Sequence, residues 1–169
     1  MLNYRKGHRL KILLDMDGVI ADFVTHFQNR VGLNSTSHDD YHQNKQRIVG
    51  TDFYATIPKF GNTDWIIKKV VELFGEYSIC TTPMQEDVDH STRQKLVWIA
   101  ENLPIMPTQV IFAKDKFLYA DADTLLVDDH IRNTSKFIDA GGMAITFDNH
   151  IHSANGLIEL LQRFKQEGY

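Results

Sequence analysis

Cysteine is nearly absent: Cys80 stands alone among 169 residues. A lone thiol excludes a disulfide framework and a cysteine-rich zinc site, and it fits a reducing compartment. Long apolar runs are missing too. The start, MLNYRKGHRLK, is polar and basic, and the apolar run behind it, Ile12 to Leu14, stops at Asp15, so no secretory signal is expected. No stretch approaches the roughly 18 consecutive apolar residues of a membrane helix. These absences predict a soluble, cytoplasmic protein without a membrane partner. Excess basic charge is also lacking: 18 Lys and Arg face 22 Asp and Glu, a net charge of -4, which disfavours long nucleic acids as partners. Internal repeats and low-complexity tracts are absent.

What is present is the composition of a globular domain. Hydrophobic residues make up 43% and charged residues 24%, which excludes disorder, collagen and coiled coil. A chain of this length buries about 70% of the surface its unfolded form exposes, enough for a full core.

Five short apolar runs read as buried strands: residues 11–17 (KILLDMD), 77–82 (YSICTT), 109–113 (QVIFA), 125–129 (LLVDD) and 143–147 (MAITF). Helical patterns lie between them. Trp65, Ile66, Lys69, Val70 and Leu73 share one face, as do Leu96, Ile99, Ala100 and Leu103. Asn62, Thr63 or Asp64 is the expected N-cap of the first, Ser91 and Thr92 of the second, and Pro104 stops the second. Asn133 or Thr134 is expected to cap a helix through Ile138 that ends at Gly141-Gly142, and Ser153 opens a last helix bearing Leu157, Leu160, Leu161 and Phe164.

Apolar strands alternating with helices predict an α/β fold: a Rossmann-like parallel sheet of about five strands with helices on both faces. The polar stretch from Ala21 to Asp64 exceeds one crossover helix and reads as a small helical cap inserted after the first strand. The expected division is a core of residues 1–20 and 73–169, with a cap of residues 21–72.

Sites in open α/β sheets form beyond the carboxyl ends of the strands. The first strand ends in Asp15-Met16-Asp17-Gly18, and residues two apart project to one side, so both carboxylates can face one pocket. Repulsion between them calls for a hard divalent cation, Mg²⁺ foremost. Asp128-Asp129 ends the fourth strand and can complete the ion's shell. Thr81-Thr82 ends the second and offers hydroxyls to phosphate oxygens. Lys114 and Lys116 follow the third. Taken singly, each has a plainer reading as a capping, turn or surface residue; the joint arrangement at four strand ends points to catalysis.

With these motifs the chain resembles the haloacid dehalogenase (HAD) superfamily of phosphotransferases. More narrowly, Asp15-Met16-Asp17-Gly18-Val19-Ile20-Ala21-Asp22-Phe23 with Ile79-Cys80-Thr81-Thr82-Pro83 resembles the 5'(3')-deoxyribonucleotidases and their bacterial and phage relatives. Asp115-Lys116 and the run from Leu125 to Asp129 extend the likeness, which spans about residues 11–147. The resemblance implies a Mg²⁺-dependent hydrolase of phosphoric monoesters that dephosphorylates (deoxy)ribonucleoside monophosphates through an aspartyl-phosphate. In it Asp15 is the nucleophile and Asp17 the acid and base. Metal ligands are Asp15, the Asp17 main-chain carbonyl and an acid from the pair Asp128 and Asp129, Asp128 being favoured. Thr81, Thr82, Lys95 and Lys116 hold phosphate, with Lys116 preferred to Lys114, and Phe23 and Phe53 lie near the base.

A His-rich cap segment departs from the family. His38 and His42 have helical metal-pair spacing but no third ligand, and read as surface residues. His150 and His152 receive no role. The implied partner is a small nucleotide, with a homodimer left open. Rival readings are a phosphatase for another small phosphomonoester such as a sugar phosphate, a non-catalytic phosphate-binding regulatory domain, and a nucleic-acid end phosphatase, the last opposed by the acidic balance.

Overall fold

The computed structural model describes residues 9–34 and 37–167; the start of the chain, read above for a secretory signal, lies largely outside them. Strands β1 (Lys11–Leu14), β2 (Ser78–Thr81), β3 (Val110–Phe112), β4 (Thr124–Asp128) and β5 (Met143–Thr146) match the five apolar runs to within a few residues. They form one parallel sheet in the order β3-β2-β1-β4-β5.

Side chains alternate across a strand, and here both sides are apolar. Ile12, Leu14, Ile79, Leu125, Val127 and Ile145 enter the large core on one face. Leu13, Cys80, Ile111 and Leu126 enter a smaller core on the other, closed by Phe137. That is why these runs carry no polar alternation. The large face holds α3 (Thr63–Phe74), whose Ile66, Ile67 and Val70 are fully buried, together with α6 (Ala154–Gln166) and Trp98 and Ile99 of α4 (Val88–Asn102). The small face holds α5 (Ile131–Asp139), which carries Phe137.

Between β1 and α3 the chain forms α1 (Phe23–Val31), α2 (His38–Asn44) and one 3-10 turn, Lys45–Ile48. Asp22 caps α1 by accepting from the Thr25 amide, and Ser37 and Asp40 form a capping box on α2. This helical segment is tied to the core through α4. Trp98 donates from Nε1 to the Ile57 carbonyl at 2.5 Å, Gln94 accepts from the Ala55 amide at 3.1 Å, and Asp87 accepts from the Gly50 amide at 2.9 Å. His38 lies in α2, its side chain outside the described ones, while His42 is exposed.

Two helix starts differ from expectation. Helix α4 begins at Val88, three residues before Ser91, because the Ser91 hydroxyl is turned inward to accept from the Met84 amide at 3.0 Å. Helix α5 begins at Ile131 behind His130, whose Nδ1 accepts from the Arg132 amide, while the Asn133 side chain reaches Asp128 instead. Pro104 follows the end of α4, and Gly141, at φ 94°, ends the turn after α5 as expected.

In this strand order the chain reverses direction across the sheet beside β1: β2 and β3 lie on one side and β4 on the other. The crevice at the carboxyl ends of β1 and β4 is thus the topological switch point.

The smaller core depends on one large side chain. Phe137→Ala should cost about 3–5 kcal/mol, read as a lowered urea midpoint with an unchanged slope. A loss under about 1 kcal/mol would mean that this face contributes little.

Candidate active site

Beyond β1 the chain turns within four residues. The Met16 carbonyl accepts from the amides of Ile20 at 3.0 Å and Ala21 at 2.9 Å, and Gly18 N–H donates to the Ala21 carbonyl at 2.9 Å. Gly18 sits at φ 77°, and a Cβ there would lie 2.3 Å from Asp129 Oδ2. Glycine is required twice over, by conformation and by space. The turn leaves Asp15 and Asp17 at the mouth of the switch point.

Asp15 is buried. Its Oδ1 accepts from the Met16 amide at 2.7 Å and lies 2.8 Å from Lys116 Nζ. The same ammonium donates to Asp128 Oδ2 at 2.5 Å, so one lysine bridges the ends of β1 and β4. Asp128 is fully buried and also accepts, at Oδ1, from the His130 amide at 2.9 Å and Asn133 Nδ2 at 3.0 Å. Asp17 Oδ2 accepts from Lys95 at 2.7 Å, and Lys95 donates to the Thr81 hydroxyl at 2.8 Å. Lys95 is fully buried on α4 and lies 5.0 Å from the Tyr54 ring centroid. Asp17 Oδ1 is buried without a hydrogen-bond partner, the one such side-chain atom among the described residues.

The carboxylates titrate accordingly. Burial, then the charges of Asp128 and Asp17, push Asp15 up to about 7 against the pull of Lys116. Burial followed by Asp15 and Asp128 pushes Asp129 up to about 8. Burial works to lower Lys116, but Asp15 and Asp128 outweigh it and hold the ammonium charged above the usual lysine range.

Asp15, Asp128 and Asp129 each place one carboxylate oxygen within 4.8 Å of the others. Three crowded oxygen donors with two pKa values raised form a set that a hard cation fits, since it would relieve the repulsion that holds protons there. The Asp17 carboxylate stands outside this trio, paired with Lys95. Within the trio Asp128 is engaged by Lys116, His130 and Asn133, whereas no hydrogen bond to Asp129 is found among the described residues.

The expected phosphate-holding groups divide. Thr81, Lys95 and Lys116 converge on the two aspartates. Thr82 donates its hydroxyl to the Ala113 carbonyl at 2.9 Å and so presents lone pairs rather than a proton. Lys114 is exposed, and Lys116 is the lysine that touches Asp15.

Above Asp17 lies a cleft of about 300 Å³ lined by Phe23, Tyr41, Tyr54, Thr82, Gln85 and Glu86 among others. Phe23 stands on its wall. Phe53 does not: it is fully buried among Phe23, Phe27, Tyr54 and His26 and packs behind the wall. A larger cleft, of about 520 Å³, lies at the opposite ends of the strands, and its charged groups, Lys11, Glu76 and Asp121, are all exposed. The chemistry therefore singles out the smaller one.

Sequence reasoning read Asn62 and Asn133 only as helix caps and passed over Asn149. Asn133 orients Asp128. Asn149, just past β5, donates to the Val19 carbonyl at 2.8 Å, and its amide N–H donates to the Gly18 carbonyl at 2.9 Å. Asn62 and Asn149 exchange side-chain hydrogen bonds at 2.7 and 2.8 Å. Together they clamp the loop that carries Asp17. Reading the fifth strand end as the other four were read would have found Asn149. His150 pairs with Asp22 at 2.9 Å, and His152 accepts from the Asp148 amide at 2.9 Å; neither bond involves Asp15, Asp17, Asp128 or Asp129.

Raised carboxyl pKa values make the metal-free fold pH-sensitive in a defined direction. The folded state holds protons on Asp15 and Asp129 that the unfolded chain releases near pH 4, so this stabilisation is complete below about pH 4 and is lost as pH rises through about 7 and 8. A bound cation replaces the protons. Millimolar Mg²⁺ should therefore raise the melting temperature more at pH 8 than at pH 5. An equal rise at both values would show that the trio does not take the ion.

No protein-family model matches the sequence, and no curated protein matches it. Solved structures do match in fold. A haloacid dehalogenase-like family hydrolase from Xanthomonas campestris is similar over 97% of this chain and 95% of its own, at TM-score 0.59 and 9% identity. A hydrolase from Streptococcus pneumoniae TIGR4 covers 92% of this chain and 100% of its own, at TM-score 0.53 and 13% identity. A HAD family hydrolase from Deinococcus radiodurans R1, with bound phosphate and sodium, covers 92% and 89%, at TM-score 0.52 and 10% identity. At such identities the likeness is one of architecture: the chain has the fold of HAD-type hydrolases.

Proposed function

We propose that the chain is a HAD-superfamily phosphomonoesterase that hydrolyses (deoxy)ribonucleoside monophosphates through an aspartyl-phosphate at Asp15. The observation that carries this reading is the pairing of Asp15 and Asp17 with two different buried lysines. Asp15 is fixed by Lys116 and the Met16 amide, and Asp17 by Lys95 through one oxygen only. One carboxylate is thereby held in place for attack, while the other keeps an oxygen, Oδ1, without a partner for a proton-bearing ligand.

In the first step an Asp15 oxygen bonds to phosphorus in line with the ester bond, which breaks. The departing oxygen keeps the bonding electron pair and takes a proton from Asp17. In the second, Asp17 as carboxylate takes a proton from water, the water oxygen bonds to phosphorus, and the bond to Asp15 breaks to release phosphate. Lys95, Lys116 and the Thr81 region offset charge on the phosphoryl oxygens. Asp15, Asp128, Asp129 and the Asp17 main-chain carbonyl would hold Mg²⁺, which when bound neutralises part of the dianion's charge. The bound phosphate of the similarly folded Deinococcus hydrolase agrees with a phosphate site on this architecture.

The nucleotide assignment rests on the cleft above Asp17. Phe23, Tyr41 and Tyr54 give it aromatic walls suited to a planar base, and Gln85 and Glu86 supply polar groups at its edge. We place the protein as a phosphatase of small nucleotides rather than of long nucleic acids, in keeping with a net charge of -4.

With deoxy- and ribonucleoside monophosphates set beside sugar phosphates, dUMP and dTMP should give the higher kcat/KM; equal values would remove the nucleotide assignment. Asp15→Asn should reduce turnover below about one thousandth while leaving the circular dichroism spectrum unchanged, and wild-type activity in that variant would overturn the nucleophile. EDTA should stop hydrolysis and Mg²⁺ restore it, whereas full activity in chelator would exclude the metal role.

A further inference from the structure

A third cleft, of about 220 Å³, has Lys116 in its wall. Thr82 lines both this cleft and the one above Asp17, so the two adjoin at that residue, and Lys116 brings the first up to Asp15. Its charged lining is unlike the rest of this acidic chain. Lys114, Arg132 and Lys136 face it against a single carboxylate, Asp115. None of these three cations takes part in an ion pair among the described residues, whereas Arg9, Lys11, Arg30, Lys45, Lys59 and Lys69 each do. Arg132 and Lys136 stand four apart on α5 and therefore on one helical face. Lys136 is steadied 5.6 Å from the Phe117 ring centroid. His130 accepts at Nδ1 from the Arg132 amide, which leaves its neutral ring's proton on Nε2 as a further donor. The first turn of α5 carries no acidic residue that would fill this need from within.

Resting on the phosphatase reading above, we infer that this cleft is a second anion subsite that takes another phosphate on the same substrate, so that a nucleoside bisphosphate binds better than the corresponding monophosphate. The reacting phosphate lies at Asp15 and Lys116. The base lies under Phe23 and Tyr54, and the second phosphate lies between Arg132, Lys136 and Lys114. Lys116 is assigned to the reacting phosphate, beside Asp15, which leaves the second to Arg132, Lys136 and Lys114. Exposed cations outside any ion pair are available to a ligand at little loss to the fold, and their attraction is sensitive to salt.

Calorimetry on the Asp15→Asn chain with Mg²⁺ present separates binding from turnover. Thymidine 3',5'-bisphosphate should bind about tenfold tighter than dTMP, a margin typical of charge-assisted hydrogen bonds. The margin should vanish in Arg132→Ser/Lys136→Ser and persist in the charge-keeping pair Arg132→Lys/Lys136→Arg, with dTMP binding the same in all three. Equal affinities for the two nucleotides would overturn the subsite and leave the phosphatase reading intact, as would a margin that survives the double serine variant. Inorganic phosphate that tightens dTMP binding as much as the 3'-phosphate does would overturn the bisphosphate assignment in favour of a free anion. Failure of either nucleotide to bind would overturn the phosphatase reading and this inference with it.

Discussion

Burying Asp15 and Asp128 at adjoining strand ends, with Asp129 largely buried beside them, is the constraint around which the remainder of the molecule is arranged. A carboxylate moved from water into a protein interior loses several kcal/mol even after relaxation, and neighbouring like charges add to the loss. The chain meets this with one cation in a fixed place. Lys116 lies in a 3-10 turn, Lys116–Tyr119, directly after β3, and its ammonium spans from Asp15 to Asp128. In the observed order β3 lies at the sheet's edge, and the chain crosses back over β2 and β1 before β4 begins. Strand order and charge balance are thus one arrangement seen at two scales. Gly18 belongs to it as well, since any side chain there would displace Asp129 from the trio.

The second lysine joins the chemistry to the helical segment. Lys95 contacts Asp17, Thr81 and the face of Tyr54 with a single ammonium. Tyr54 packs edge-on to Phe53, and Phe53 to Phe23, which lines the cleft above Asp17. The aromatic wall and the second aspartate therefore share a buried charge, and a shift of one is felt by the other. The segment is held from below by Trp98 and Gln94 on the same helix as Lys95. Helix α4 is the common base of both the cleft and Asp17.

How much of this the sequence disclosed follows from which forces act locally. The strands were legible because residues buried on both faces must be apolar throughout, and short runs such as KILL and TLLVD leave no other reading. Asp15, Asp17, Thr81 and Asp128 were legible because strand ends point at the switch point. Lys116 over Lys114 was legible only through resemblance: both are lysines two apart after a strand, and nothing local says which one turns inward. Phe23 and Phe53 looked alike for the same reason, yet one lines the cleft and the other is sealed behind it. The asparagines were illegible in a different way. Asn62, Asn133 and Asn149 carry no charge and fall on no apolar period, and their roles arise only when segments as distant as residues 62 and 149 meet. Helix starts at His130 and Asp87 were missed in part because Ser91, Asn133 and Thr134 each have a partner elsewhere that outbid the helix end.

Net charge describes this protein poorly. A value of -4 places it among acidic chains, yet the charges that matter are segregated. Carboxylates gather at the ends of β1 and β4, two lysines are buried beside them, and Lys114, Arg132 and Lys136 rim the cleft on the α5 side. Exposed charges more than about 8 Å apart are screened from one another at physiological salt, so a small anion approaching the switch point responds to its nearest neighbours and not to the sum. The nearest groups are Lys116, Lys114, Arg132 and Lys136 on one side and, with a cation bound, a largely neutralised carboxylate trio on the other. A long polyanion would extend beyond that zone onto the acidic remainder of the surface, while a compact phosphate ester would not. On the proposed reading, selection by size follows from where the charges sit, with no steric gate required.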